Sequence, residues 1–582
     1  MSTEGRFILA LSLMFLVIWG TNKLFPPIFE EVPGTPADSS LLVGDTAAEQ
    51  EEVAPAALSD LGAADPASAA AGDSAAPAPA QRPPARTIVV ESPNYRFEFN
   101  SRGAALESAE LLGYAALNGR DGAVQLLPEG VVSLSKSLVV GSDTLSLGDL
   151  DFSVEPADGL SLGEGSGPQT LTFTHAAAGF AVTLRYTFRP DDYLVDVAAD
   201  VQGVDRPLMM TGLGRGLAFN EADSAQEARV MAWVGNHLNR GVRSTEMRKV
   251  ERPELHDGPW QWAGVKSKYF VMAVLPGAET SEDGPYLGGV TTEPGLDEMR
   301  PQVSVTQAVA TDGSLAYRLY LGPQEYSRLQ ALGADMEEVN PYGWKWLRPL
   351  IRPFVAITLW VLNFLHDNLN VGYGWVLVIF GVLMRVLLWP LNQKAMRAQM
   401  RNMAVQPMVK EIQTKYKDNP EKQQKEMMRL YKEYGFNPLA GCLPMLLPWP
   451  VLIALFFVFQ NTIELRGVPF YWLPDLSAKD PFYILPLVLA VSMFFLQFIS
   501  FRSMPEAGKN PQMKMMMYFM PPFFGFIFMQ FPSGLNLYYA TANLATIPQQ
   551  MLIARERKAA ARRGPVKLDR SKGKGDPANS KG

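Results

Sequence analysis

The chain has 582 residues, one cysteine, four histidines and a formal charge of −7 at pH 7. The single Cys442 excludes an intramolecular disulfide and a cysteine-built metal site, and His175, His237, His256 and His366 form no ligand-spaced pair. No P-loop, dinucleotide-binding glycine pattern or nucleophile elbow occurs, so nothing points to an enzyme, and neither a cofactor nor a DNA partner is expected.

The charge is segregated. The N-terminal half is polar and acidic, and the C-terminal part holds nearly all the long apolar runs. The first apolar run, residues 7–19, follows Arg6 and precedes Lys23 with no small-residue cleavage site after it. It reads as an uncleaved transmembrane anchor within 1–25, N-terminus in the cytoplasm. Residues 26–86 are rich in Ala, Pro, Ser and acids and read as a disordered linker. Residues 87–340 alternate apolar and polar positions between Gly, Pro and Asp punctuation, the pattern of half-buried antiparallel strands. They predict one large β-sandwich domain outside the cytoplasm.

Within 341–370, Arg348, Arg352, Asn363 and His366 share one helical stripe. The uninterrupted apolar stretch after Pro353 runs to about 12 residues, which suits an interfacial helix better than a spanning one. Five stronger apolar segments follow within 371–553, at about 374–391, 441–460, 482–499, 515–531 and 535–553. The loop 392–440 carries ten basic residues, the tail from 554 carries ten, and the loop 461–481 carries only Arg466 and Lys479. Basic segments stay in the cytoplasm. The chain is therefore expected to be a multi-domain, multi-pass membrane protein with six transmembrane helices, both termini cytoplasmic and the β domain on the far side. Two charged helical stretches around the KDNP turn predict a cytoplasmic hairpin at about 393–436. The basic tail, 554–582, suits anionic lipid or RNA.

Arg385 lies inside the second span, roughly 9 Å from its cytoplasmic end. Position alone leaves two readings open, snorkelling to the headgroups or facing a bundle interior. No Asp or Glu occurs in the apolar cores of the five C-terminal spans. If Arg385 faces inward, water must solvate it, and a pump lacks its titratable acid. On the last span Tyr539, Asn543, Thr546 and Gln550 share one face, with Tyr538 and Thr541 beside it. Such a stripe either bonds between helices or lines a groove. Met504, Met513, Met515, Met516, Met517, Met520 and Met529 cluster around the fifth span, most simply as packing or lipid contacts. Pro444, Pro448 and Pro450 in the third span and Pro521 and Pro522 in the fifth predict irregular helices.

Four stretches then resemble a known family: MRVLLWPLNQKAM at 384–396, EMMRLYKEYGFNPLAGCLPMLLPWP at 426–450, DLSAKDPFYILP at 475–486 and FPSGLNLYYATANLATIPQQ at 531–550. In this order they are similar to the YidC membrane protein insertases of Gram-negative bacteria, relatives of the mitochondrial and chloroplast insertases. The resemblance covers nearly the whole chain. It implies an all-β periplasmic supersandwich domain and a five-helix core with a groove open to the cytoplasm and to lipid. Arg385 matches the family's groove arginine, and Tyr538 and Tyr539 its paired tyrosines. Trp449 and Pro450 fall where the third span is expected to touch substrate helices, and Asn543 and Thr546 extend the groove. Gly381 and Pro448 depart from the Thr and Gln of another member. The implied function is insertion and assisted folding of inner-membrane proteins, with nascent membrane proteins, the Sec translocon, the ribosome (through the hairpin and basic tail) and membrane lipids as partners. Two rival readings are a transporter or channel with an aqueous vestibule and an envelope-assembly scaffold.

Overall fold

The computed structural model describes residues 84–562 except 178, 278–285, 296–299, 341, 344–346, 418, 434–448 and 504–510. It describes the backbone alone at 391–392, 394–407, 409–410, 431–433, 449–450, 511–513, 516 and 557–562. The expected anchor, nearly all of the linker, Cys442, Pro444, Pro448, Met504 and the tail from 563 lie outside the described residues.

Alternation in 87–340 becomes two facing sheets. Along Tyr95–Asn100, Tyr95, Phe97 and Phe99 point inward and are buried, while Arg96 and Glu98 point out and pair at 3.3 Å. The smaller sheet has five strands in the order Ala123–Gln125, Leu106–Ala115, Tyr95–Asn100, Thr87–Glu91, Leu160–Ser161. The larger has fourteen, centred on the antiparallel run Glu254–Lys266, Phe270–Pro276, Ser314–Pro323, Leu194–Gln202 and Phe180–Phe188. Phe99 bridges the two. Its ring lies 5.1 Å from Tyr186 and 5.9 Å from Phe173 on the larger sheet. Burying rings of this size between two sheets helps hold the sheets together.

Two short helices decorate the sheets, α1 (Ser224–Val230) and α2 (Tyr326–Leu332). Asp223 caps α1, its carboxylate accepting from Gln226 N at 2.9 Å. Glu227 in α1 is fully buried and accepts from the backbone N–H of Asn220 at 2.9 Å and of Glu221 at 3.0 Å. It thereby shapes the loop that presents Glu221.

Seven helices follow: α3 (Arg348–Leu369), α4 (Tyr373–Lys415), α5 (Pro420–Glu433), α6 (Trp449–Asn461), α7 (Ile484–Arg502), α8 (Pro511–Phe528) and α9 (Ser533–Arg562). α9 packs against α4 and α7, α8 against α7, and α3 against α6. Ile351, Val355, Leu359 and Leu362 recur at helical spacing on α3 and are buried with Val458 and Phe459 of α6 in the bundle's core. Three of the described helical segments, Arg348–Leu369, Tyr373–Pro390 and Ile484–Arg502, are long and apolar enough to cross a membrane.

Two expectations change. α3 has 22 residues, with Pro349 in its first turn, and it continues through Pro353, so the helix is not confined to the apolar stretch of about 12 residues that follows Pro353. Its length no longer distinguishes lying in the interface from crossing it. Its polar stripe is also divided. Arg352 pairs with Asp335 at 2.9 Å and with Glu337 and Glu338, and Arg348 with Glu338 at 3.6 Å, all at the end of the β domain. At the other end His366 stacks on Tyr373 with ring centroids 4.1 Å apart. The hairpin's first arm is likewise not a separate element. α4 is one helix of 43 residues, roughly 65 Å, running from the span into the basic arm. Gln, Lys, Ala, Met and Arg after Leu391 favour helix as strongly as the apolar run before them, so the change in polarity is no break. Asn419 caps α5 by accepting from Lys422 N at 3.0 Å.

Burial pushes the Glu227 carboxyl up to about 7. A raised folded-state value means that this group's stabilisation is present below its unfolded value and is lost as pH rises through about 7. Glu227→Gln keeps the acceptor and removes the charge. It should raise the thermal midpoint at pH 8, by an amount equivalent to about 3 kcal/mol at most, and leave it nearly unchanged at pH 4.5. Melting curves of both proteins across this range test the sign.

Candidate functional site

α4 and α9 cross at Gly381. A β-carbon there would lie 3.3 Å from Thr541 Cβ and 3.3 Å from the Tyr538 carbonyl oxygen, so the glycine lets the two helices approach closely. One turn further along α4 is Arg385, half-buried and within electrostatic range of Tyr538 and Tyr539. Its neighbours Val382, Leu383, Val386 and Leu387 are exposed on the outer face of the helix. Arg385 therefore turns toward the bundle while the apolar side chains around it face outward. Among the described residues no carboxylate pairs with it.

The tyrosines are fixed by rings. Tyr538 is buried between Phe380 of α4 and Phe459 of α6, with centroids at 5.6 and 5.5 Å. Tyr539 lies 5.2 Å from Tyr538 and 5.3 Å from Phe528 of α8. The pair thus contacts α4, α6 and α8 from one turn of α9.

Asn543 and Thr546 lead elsewhere. Asn543 Nδ2 donates to Ser492 Oγ of α7 at 3.3 Å, and Thr546 Oγ1 donates to the Ala542 carbonyl of its own helix at 2.6 Å. Gln497 Oε1, Gln549 Nε2 and Gln550 Oε1 are buried with no protein partner among the described residues. A buried amide atom without a protein partner calls for water. The Asn543–Ser492 bond makes a polar contact between α7 and α9, distinct from the Arg385 pair of tyrosines.

The end of the bundle nearest the β domain is closed. Leu465, Leu473, Leu476, Leu485 and Leu535 are buried there. Asp480 accepts from Phe482 N at 3.0 Å and Leu485 N at 2.7 Å, which fixes the first turn of α7. Ser533 N donates to Ala478 O at 2.7 Å and Gly534 N to Leu476 O at 2.8 Å, which fixes the start of α9. Among the described residues no three His, Cys, Asp or Glu side chains converge on a metal site.

The chain matches two family models, the YidC periplasmic domain over residues 87–357 and the 60Kd inner membrane protein over residues 364–560. It is 32% identical over 512 residues to the membrane protein insertase YidC of Chlorobaculum tepidum, covering 82% of this chain and 84% of that one. It is 31% identical over 572 residues to the same protein of Maridesulfovibrio salexigens, covering 94% of this chain and 98% of that one. The chain belongs to the YidC family of membrane protein insertases. A crystal structure of an active YidC insertase with its first transmembrane domain resolved is similar over 80% of this chain and 92% of its own, at 19% identity and TM-score 0.31.

As a YidC-family member the chain is an inner-membrane protein with a periplasmic domain, and its family is one of insertases, not enzymes. Of the residues singled out in sequence, the structure brings Arg385, Tyr538 and Tyr539 together and turns Asn543 toward α7. Trp449 and Pro450 open α6, and only their backbone is described. Met517 is buried, Met515 is exposed, and Met513 and Met516 have only their backbone described. Pro521 and Pro522 lie within α8. Sequence reasoning passed over Ser492, Gln497 and Gln549. Their signal is weak, because a single polar residue in an apolar run names no partner.

The Gly381 crossing is directly testable. Gly381→Leu should force α4 from α9 and cost about 1–3 kcal/mol, the usual penalty for overpacking. The melting midpoint in detergent should fall. Gly381→Ala should do much less.

Proposed function

We propose that this chain inserts nascent membrane proteins through a hydrated groove centred on Arg385. One observation carries the reading: a half-buried arginine that turns into the bundle beside Tyr538 and Tyr539, with no carboxylate partner among the described residues. A guanidinium held this way is solvated by water and tyrosine and stays available to an incoming anion. The unpartnered amides of Gln497, Gln549 and Gln550 support water entry on the cytoplasmic side.

A substrate helix slides along the apolar wall of α6 and α8, with Trp449 and Pro450 at its edge. Its short polar flank enters the groove at Arg385, and Asn543 and Thr546 continue the polar lining toward α7. Burial of the apolar helix in lipid drives the step at roughly 25 cal/mol per Å². No covalent or nucleotide-dependent step is required. The chain crosses the membrane six times, with both termini cytoplasmic and α3 at the interface. The basic arm of α4, α5 and the tail meet the ribosome and anionic lipid, and the β domain meets the Sec translocon.

Arg385→Ala should lower insertion of substrates with acidic translocated tails by about tenfold, or about 1.4 kcal/mol, in a strain depleted of its own insertase. Substrates with neutral tails should be less affected. Photocrosslinkers in α6 and α8 should capture ribosome-bound nascent chains. Unchanged insertion across the whole panel, together with absent crosslinks, defeats the groove reading. Solute flux in proteoliposomes without any effect on integration would instead mark a transporter.

A further inference from the structure

The loop between α6 and α7 reaches out of the closed end of the bundle and into the β domain. Arg466 is its tip. The Arg466 and Glu221 side chains are 3% and 8% exposed, and Arg466 Nε donates to Glu221 Oε1 at 2.8 Å. Arg466 Nη1 donates to the Ala115 carbonyl at 2.9 Å and Nη2 to the Asn220 carbonyl at 3.4 Å. The guanidinium also lies 5.3 Å from the centre of the Phe270 ring. Its acceptors come from separate parts of the β domain, a strand end and the loop shaped by Glu227. This is a built socket, not a chance surface pair. Lys479, at the other end of the same loop, pairs with Asp223 at 3.3 Å.

Behind Arg466 the loop is tied to two helix starts. Gly467 N donates to Asp475 Oδ1 at 3.0 Å, and the Asp475 carboxylate also accepts from Ser477 N at 2.7 Å. The Asp475 carbonyl accepts from Ser533 Oγ at 2.9 Å, in the first turn of α9. Tyr538 and Tyr539 follow about one and a half turns later. An unbroken set of hydrogen bonds therefore runs from Glu221 through Arg466 and the loop to the helix that carries the tyrosines.

We propose that Arg466 and Glu221 form a clasp by which the β domain holds the closed end of the bundle, making Arg466 a positioning residue for the groove. The clasp itself is independent of the insertase reading, and only its functional half rests on that reading. Arginine suits the task because its planar fork holds three nitrogens in fixed directions, one on each of three separated acceptors, whereas lysine offers a single nitrogen. Removing one partner strands the other as a buried charge, so the joint either stays engaged or opens.

The test uses the full-length protein in lipid nanodiscs, with Cys442→Ser as background and spin labels at Leu255→Cys in the β domain and Tyr471→Cys in the loop, both exposed. The distance distribution should be narrow in this background and should broaden at least twofold in Arg466→Ala and Glu221→Gln. It should broaden less in Arg466→Lys, which keeps the charge and covers the case in which the alanine variant does not fold. Insertion should fall about threefold in Arg466→Ala and Glu221→Gln and less in Arg466→Lys. Narrow distributions in every single variant overturn the clasp. Broad distributions with undiminished insertion overturn the positioning role. If the background protein inserts nothing, the insertase reading fails instead, and the distances still decide the clasp.

Discussion

A charged side chain inside an apolar bundle must be solvated by something, and this constraint organises the helical half of the chain. Arg385 has Val382, Leu383, Val386 and Leu387 on the exposed side of its helix and two tyrosines on the inner side. An isolated ion in a medium of low dielectric is costly, and on the proposed reading water reaches Arg385 from one side of the bundle. The Gly381 contact keeps α4 and α9 close just above the arginine, and Tyr538 fills the space between α4 and α6. Further along α7 and α9, past the tyrosines, Gln497, Gln549 and Gln550 carry buried amide atoms that no protein group satisfies among the described residues. Packing at the β-domain end is mainly apolar, around Leu465, Leu473, Leu476, Leu485 and Leu535, and more unpartnered amides lie at the other end.

That asymmetry is reinforced where the helices meet the β domain. Arg348, Arg352, Arg466 and Lys479 are cations near the outer ends of the helices, and each pairs with an acid of the β domain or of the segment that ends it. Basic residues on the outer side of a membrane act against the charge rule that orients the chain. Here their charge is matched by Glu338, Asp335, Glu221 and Asp223, so the same residues that join the two parts of the protein add little net positive charge outside. Both cations of the 461–481 loop, Arg466 and Lys479, are used in contacts that join the helical part to the β domain.

The β domain was readable from alternation because each strand records its own inner face: Tyr95, Phe97 and Phe99 sit at every second position and all are buried. Which strands neighbour one another was not readable, since Thr87–Glu91 pairs in parallel with Leu160–Ser161 across some 70 residues of chain. In the bundle, Arg385 and the two tyrosines stood out because a charge or a polar ring in an apolar run is rare. The Asn543 contact did not, because helical spacing names a shared face and not the neighbour it meets. Arg466 was visible only as one of two cations used to orient a loop. Its partner lies 245 positions away in sequence, and the burial that gives the pair its strength exists only after both parts have folded. The continuity of α4 was hidden for a different reason: the change from apolar to basic residues marks where the membrane ends, not where the helix does.

On the proposed reading, the energetics explain why so small a polar feature is enough. An acidic residue at the centre of a bilayer costs about 2.5–3.5 kcal/mol on insertion scales, and a translocated flank with two of them costs roughly twice that. The apolar helix that follows gains several times as much once it is in lipid, at about 25 cal/mol per Å². Insertion is therefore downhill as a whole, and the obstacle is the order of events, because the flank must cross before the helix can settle. A groove that pairs the flank with one guanidinium and a few waters lowers that early cost without holding the flank strongly afterwards. A carboxylate beside Arg385 would cancel this by occupying the cation. On this reading, the absence of Asp and Glu from the five apolar segments of 371–553 keeps the cation free for the substrate.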